Sequence, residues 1–195
     1  MTSSTRGPGQ RAGLDRTRVL AEARALLDEV GLVGLTMRSL AARLDVAPNT
    51  LYSHIRDKSE MVDLLLDEVL ADVPVPTPGR VRRDPVGALR RMMTASYDAL
   101  LHHPDLVPHY LTRQGARGPI ARRLGEVMMD ALGHIGLTGT SAEKAMRVLI
   151  VNTIGFAAFS TEGGRDAGPL PTREVRASHA HALDWLLAGI TGETG

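Results

Sequence analysis

Every repeating apolar stretch in this chain repeats at helical spacing. No segment sustains the apolar–polar alternation, rich in β-branched residues, that a half-buried strand requires. The chain is thereby confined to an all-α fold of about nine helices. Its 195 residues are enough for one or two small domains with a real core. Aromatic residues make up only 3%, so aliphatic and methionine side chains must fill most of the interior. There is no cysteine, which removes disulfides, thiol catalysis and cysteine-based zinc sites.

Start and stop signals divide the helices. The first opens at Asp15, carries Val19, Ala23, Leu26, Leu27 and Val30 on one face, and stops at Gly31. The second begins after Thr36 and holds Met37, Leu40, Ala41 and Leu44. A tight connection, Asp45-Val46-Ala47, leads to Pro48, the first residue of a short third helix that turns Leu51 and Ile55 inward. The fourth starts at Asp57, with Glu60 as capping-box partner, and runs through Met61, Leu64, Leu65 and Val69. The run Val73-Pro74-Val75-Pro76-Thr77-Pro78-Gly79 breaks it and reads as a linker between two halves. Further helices are predicted from Asp84-Pro85 to Leu101, from His103-Pro104 to Arg113, and from Pro119 to Ile135. Thr140-Ser141-Ala142-Glu143 is a capping box opening a long helix to about Thr161, and the last helix runs from Thr172 to Ile190. Gly115 to Gly118 and Gly163 to Pro171 are predicted loops.

The net charge of +1 does not point to nucleic acid, but its distribution is uneven. Residues 1–58 carry nine Arg and Lys against six Asp and Glu, whereas residues 59–73 carry five acids and no base. Such a gradient orients a protein on a polyanion, and chance clustering of surface charge explains it equally well.

Thr36 to His54 reads TMRSLAARLDVAPNTLYSH. Two short helices meet at a tight turn, with Leu40, Ala41, Val46 and Leu51 holding them at a fixed angle. Ala41 is small, so the helices can approach closely. This is helix-turn-helix spacing, which presents the second helix to a DNA major groove. That helix offers Asn49, Thr50, Tyr52, Ser53 and His54, short polar and aromatic groups suited to base edges and phosphates. Arg38 projects from the preceding helix, and Lys58 opens the fourth, where its charge and the helix N-terminus favour a phosphate.

The stretch EVGLVGLTMRSLAARLDVAPNTLYSHIRDKSEMVDLLLD, within Leu14 to Leu66, resembles the tetracycline-repressor (TetR) family of bacterial regulators. The resemblance is carried by Gly-Leu-Thr, Leu-Ala, Val, Thr-Leu-Tyr-x-His and a Lys opening the next helix. Asp45 departs from it, standing where the family usually has Gly; Asp tolerates left-handed backbone better than most residues. The resemblance implies Arg38, Asn49, Thr50 and Tyr52 as groove-facing residues, with Tyr52, His54 and Lys58 on phosphates. It implies a domain order of a disordered basic arm (1–13), a helix-turn-helix DNA-binding domain (14–60) and a ligand-binding and dimerisation domain (61–195). It further implies a repressor released from a palindromic operator by a small-molecule effector.

The long helix ending near Thr161 is apolar on nearly all faces, with Val148, Leu149, Ile150, Val151, Ile154 and Phe156 among its residues. Such a helix must be covered all round, so a homodimer is expected, with the last helix completing a four-helix interface as the resemblance implies. Met92, Met93, Met128 and Met129 would give a ligand cavity a pliable lining. The stretch Val107-Pro108-His109-Tyr110-Leu111-Thr112-Arg113 resembles the segment of tetracycline repressors that helps bind the magnesium–drug chelate; the resemblance puts His109 and Thr112 on chelate-binding positions, and Arg113, closing the same helix, is a further ligand-binding candidate. The family's further acid has no clear counterpart, because Glu162 lies a few residues off, so no cofactor is assigned beyond a magnesium ion borne by a ligand. His179 and His181 point to opposite sides of a helix, poor metal spacing, and are expected to be solvated or partly packed.

Met1 to Gly13 holds no apolar core and no apolar run is long enough to span a bilayer, so a cytoplasmic protein without membrane partners is expected. A helical enzyme or a partner-binding protein remains the alternative. The absence of a Gly-rich phosphate loop, a nucleophile elbow and a convincing acid pair argues against an enzyme.

Overall fold

The computed structural model describes residues 14–161 and 172–192, and all regular structure among them is helical. The arm expected over residues 1–13, the loop from Gly163 to Pro171, and Glu162 lie outside the described residues. Ten α-helices and two 3₁₀ turns are present among the described residues, and the chain forms two compact units, Met1–Met61 and Val62–Gly195.

In the first unit, α1 (Arg16–Gly34) begins at Asp15, whose carboxylate accepts the N–H of Arg18 at 2.7 Å. The expected stop is visible inside it: Gly31, at φ +67°, breaks the helical path, and only the last turn continues beyond. Thr36 and Ser39 form a reciprocal cap on α2 (Met37–Arg43), each side chain accepting the other's backbone N–H. α3 (Pro48–Tyr52) follows, with Pro48 in the first turn as expected. Arg43 reaches back from α2 to Glu22 and Glu29 of α1, both at 2.7 Å. That hydrogen bond from Arg43 holds the Glu29 carboxyl below its ordinary range. Exposed pairs of this kind fix geometry more than they add stability. The stability comes from Val19, Leu40, Leu51 and Ile55, all without solvent exposure; each such aliphatic side chain is worth about 1.5–3 kcal/mol when buried.

α4 (Lys58–Glu68) opens with Asp57 accepting the N–H of Glu60 at 2.8 Å. Glu60 returns its carboxylate to the N–H of Arg56 at 2.8 Å, one residue before the position a capping box requires. This contact, ahead of the nearby Arg56 and Arg16 charges, lowers the Glu60 carboxyl.

The proline-rich run is not the linker. The boundary between units falls within α4, and Val73 to Gly79 lies inside the second unit with Val73 buried. Pro78 instead starts an unforeseen short helix, α5 (Pro78–Arg83), where its missing N–H costs nothing. This helix accounts for ten helices rather than nine. α4 is followed by a 3₁₀ turn (Val69–Asp72). Asp84 closes α5 and caps α6 (Pro85–His102), accepting the N–H of Gly87 at 2.8 Å. A second 3₁₀ turn (Pro104–Leu106) precedes α7 (Val107–Arg113), which Gln114 ends in the left-handed conformation. α8 (Pro119–His134), α9 (Gly139–Thr161) and α10 (Thr172–Gly192) complete the unit. α9 is central, packing against α6, α7, α8 and α10. α8 is capped from a distance: the carboxylate of Asp67, 4% exposed, accepts the N–H groups of Ile120 at 3.0 Å and Ala121 at 2.8 Å.

Candidate functional site

The turn between α2 and α3 is set by backbone hydrogen bonds. The N–H of Val46 reaches the carbonyl of Ala41 at 3.0 Å and that of Asp45 reaches Ala42 at 3.2 Å, with Asp45 at φ +52°. This is a Schellman motif, and its left-handed residue is the Asp that replaces the usual Gly. Leu40, Ala41 and Leu51 are buried across the junction, so the crossing of the two helices is fixed by packing.

Burial of Leu51 forces its neighbours outward. Asn49, Thr50, Tyr52 and Ser53 are all exposed, and Tyr52 keeps 49% of its surface in solvent. The Ser53 hydroxyl donates to the carbonyl of Thr50 at 2.7 Å and so closes α3. Arg38 is exposed on α2, and His54 is half-buried just beyond α3. Lys58 is exposed, and its ammonium donates to the carbonyl of Leu32 at 2.8 Å, tying the start of α4 to the end of α1. Two of its three N–H groups remain for another acceptor.

The second unit holds a partly open cavity of about 140 Å³. Met92, Met93, Leu100, Leu124, Met128 and Ile154 supply apolar wall, and Ser96, Tyr110, Gln114 and Thr153 supply polar atoms. Tyr110 is nearly fully buried and its hydroxyl donates to the carbonyl of Leu66. Burial, with the Asp67 charge adding to it, pushes that phenol above its ordinary range.

Residues 19–65 match the sequence profile of the bacterial regulatory proteins of the tetR family. A helix-turn-helix-type transcriptional regulator of Saccharopolyspora erythraea is 31% identical over 172 residues, covering 88% of this chain and 71% of that protein. The class A tetracycline repressor from transposon 1721 of Escherichia coli is 31% identical over 156 residues, covering 80% of this chain and 71% of the repressor. The chain belongs to the TetR family. The fold agrees: the Streptomyces coelicolor TetR-family protein ActR, in complex with (S)-DNPA, superposes with a TM-score of 0.78 at 25% identity, over 94% of this chain and 100% of ActR.

Of the expected nucleic-acid residues of this TetR-family regulator, Asn49, Thr50 and Tyr52 are exposed on α3, Arg38 is exposed on α2, His54 follows α3 and Lys58 opens α4. The expected ligand residues do not all share one cavity. Met92 and Met128 line the cavity, but His109, Thr112 and Arg113 do not, and neither does Met129. The helical phase of α7 is the reason. Tyr110 occupies its inward face, which turns Arg113 toward Asp63 of α4 and leaves Thr112 exposed, its hydroxyl donating to the carbonyl of Pro108 at 2.9 Å. His109 lies 3.1 Å from the Arg113 guanidinium through Nδ1. Among the described residues no three His, Cys, Asp or Glu side chains cluster as metal ligands.

His179, expected to be solvated or partly packed, is packed further than that: it is 1% exposed, and its ring stacks on Tyr97 with centroids 4.4 Å apart. The signal was present: Val175, His179, Leu183 and Leu187 fall on one four-residue stripe and all are buried. Burial lowers the His179 pKa, with the nearby Asp98 charge opposing and Arg176 reinforcing the shift. On the outer faces of α9 and α10, Val151, Phe159 and Trp185 are 60%, 58% and 73% exposed. No described helix is long and apolar enough to cross a membrane.

Proposed function

We propose that this protein is a cytoplasmic homodimeric repressor that holds a palindromic operator through α3 and leaves it when a small molecule fills the cavity of the second unit. One observation carries the DNA reading: α3 is anchored by a single buried side chain, Leu51, with Asn49, Thr50 and Tyr52 all turned to solvent. Polar and aromatic groups turned to solvent in that arrangement match the acceptors and donors of base edges. Arg38 and His54 flank them, and Lys58 supports the backbone side, where contacts position the protein without reading sequence.

Homodimerisation follows from Val151, Phe159 and Trp185, whose exposed apolar surface on two neighbouring helices calls for a cover. Two copies reading two half-sites match a palindromic operator. The relatives are transcriptional regulators, and we assign this chain no catalytic step. Repression is the reading because a tetracycline repressor is among those relatives.

The test is binding of the purified protein to DNA fragments from upstream of its own gene, followed by fluorescence anisotropy at several salt concentrations. Thr50→Ala and Tyr52→Ala should each weaken the specific complex by about 1–3 kcal/mol, the scale of one lost base contact. Equal affinity for operator and unrelated DNA, unaffected by either substitution, would refute the proposal.

A further inference from the structure

The cavity wall specifies its occupant more narrowly than its volume does. Among the described residues no Lys, Arg, His, Asp or Glu lines it, so an ionised ligand would give up hydration there with no charge from these residues to replace it. His179 stands behind the wall, its Nε2 3.5 Å from the Thr153 hydroxyl, and burial favours its neutral form.

The hydroxyl hydrogens of the lining are already committed. Ser96 donates to the carbonyl of Met92 at 2.9 Å, Thr153 to that of Leu149 at 3.0 Å, and Tyr110 to that of Leu66. A carbonyl only accepts and each hydroxyl has one hydrogen, so these three residues offer lone pairs alone. The other polar side chain, Gln114, belongs to an exposed residue, whereas Ser96 and Thr153 are buried. Met92, Met93 and Met128 add polarisable sulfur, which favours aromatic rings. The volume of about 140 Å³ is close to that of an apolar protein cavity of about 150 Å³ that accepts benzene.

Building on the proposal that this cavity is the effector site, we infer that it takes a neutral aromatic molecule of one or two rings bearing an O–H or N–H donor, received by the oxygens of Ser96 and Thr153. The donor requirement separates this class from plain hydrocarbons of the same shape. The missing charge separates it from aromatic carboxylates and from metal chelates.

Titration calorimetry on the full-length protein with three probes tests this: indole, benzothiophene of nearly the same shape without the N–H, and indole-3-carboxylate. Indole should bind saturably at up to millimolar concentration, and the carboxylate should neither bind nor compete. The ratio of benzothiophene to indole Kd should fall about fivefold in the Ser96→Ala, Thr153→Val double variant, the scale of one net hydrogen bond. Thr153→Ser should keep the wild-type ratio. Using a ratio removes differences in folding and in general apolar affinity. An unchanged ratio, competition by the carboxylate, or no saturable indole binding overturns the inference. Indole binding that behaves as stated but leaves operator affinity unchanged upholds the inference and refutes the effector reading. An operator-releasing compound that binds wild type and the double variant alike does the reverse.

Discussion

Replacing Asp67 with Ala removes a helix cap supplied from a distant part of the chain. The Asp67 carboxylate is buried and accepts two N–H groups at the start of α8, so Asp67→Ala leaves both donors without their acceptor. Hydrogen bonds to charged groups are worth about 1.5–3 kcal/mol each, and loss of a helix cap typically costs about 1 kcal/mol. Allowing for water reaching part of the gap, the loss should be about 2–4 kcal/mol. For a unit of this size that corresponds to a Tm lower by roughly 5–12 °C.

Gly118 probes the same contact from the other side, since a Cβ there would lie 2.1 Å from the Asp67 carboxyl carbon. Gly118→Ala should therefore displace the carboxylate and cost about 2 kcal/mol in the wild type. It should cost about 0.5 kcal/mol or less once Asp67 is Ala, because the clashing group is gone. The coupling should exceed about 1 kcal/mol, as expected for two residues acting through one contact. Urea unfolding followed by fluorescence suits the measurement, because the single tryptophan, Trp185, lies in α10 and reports on the second unit alone. A loss below about 1 kcal/mol for Asp67→Ala, or strictly additive penalties, would refute the assignment of Asp67 as the cap of α8.

Asp45→Gly should leave stability unchanged or raise it by up to about 1 kcal/mol, since Gly relieves the left-handed backbone but loses more entropy on folding; Asp45→Val should lower it, and urea midpoints of both variants settle the sign. Val151→Glu should convert the dimer to a monomer by sedimentation and weaken operator binding with it, because a carboxylate would be buried without a partner; a wild-type monomer at micromolar concentration refutes that interface. His179 has its folded pKa below the unfolded value of about 6.5, so its contribution to stability is complete above that pH and is lost as pH falls toward the folded pKa. His179→Phe should flatten the decline that sets in as pH falls below about 6.5, and an unchanged slope would assign it to other groups.

The helix-turn-helix was legible because everything that makes it is local. Thr36 caps, Pro48 starts, Leu40 and Leu51 pack, and the Schellman turn needs only residues 41–46. The cavity was half legible. Met92 lies on a long helix whose inward face the sequence pattern reveals, whereas α7 has seven residues and follows a 3₁₀ turn. Seven residues are two turns, too few for periodicity to fix which face points inward. Tyr110 took the inward face, and the similarity of His109 and Thr112 to a chelate site carried no information about that phase.

The acids of residues 59–73 show the same limit more sharply. As a run of charge they suggested only an orientation on DNA. In the structure Asp63 pairs with Arg113, and Asp67 caps α8. Both carboxylates meet partners some fifty residues away, the Arg113 guanidinium for Asp63 and backbone N–H groups for Asp67, a distance over which no local pattern operates. Together with the Tyr110 hydroxyl on the Leu66 carbonyl, they place polar contacts on three positions of α4, 63, 66 and 67, which neighbour one another on the helix. Tyr110 and Ala121, two of the partners, also line the cavity. A molecule that enters the cavity therefore touches residues already bonded to α4, whose first turn, Lys58 to Glu60, belongs to the unit that carries α3. An occupant releases DNA only if it binds more tightly to a state in which these contacts are rearranged; equal affinity for both states shifts nothing.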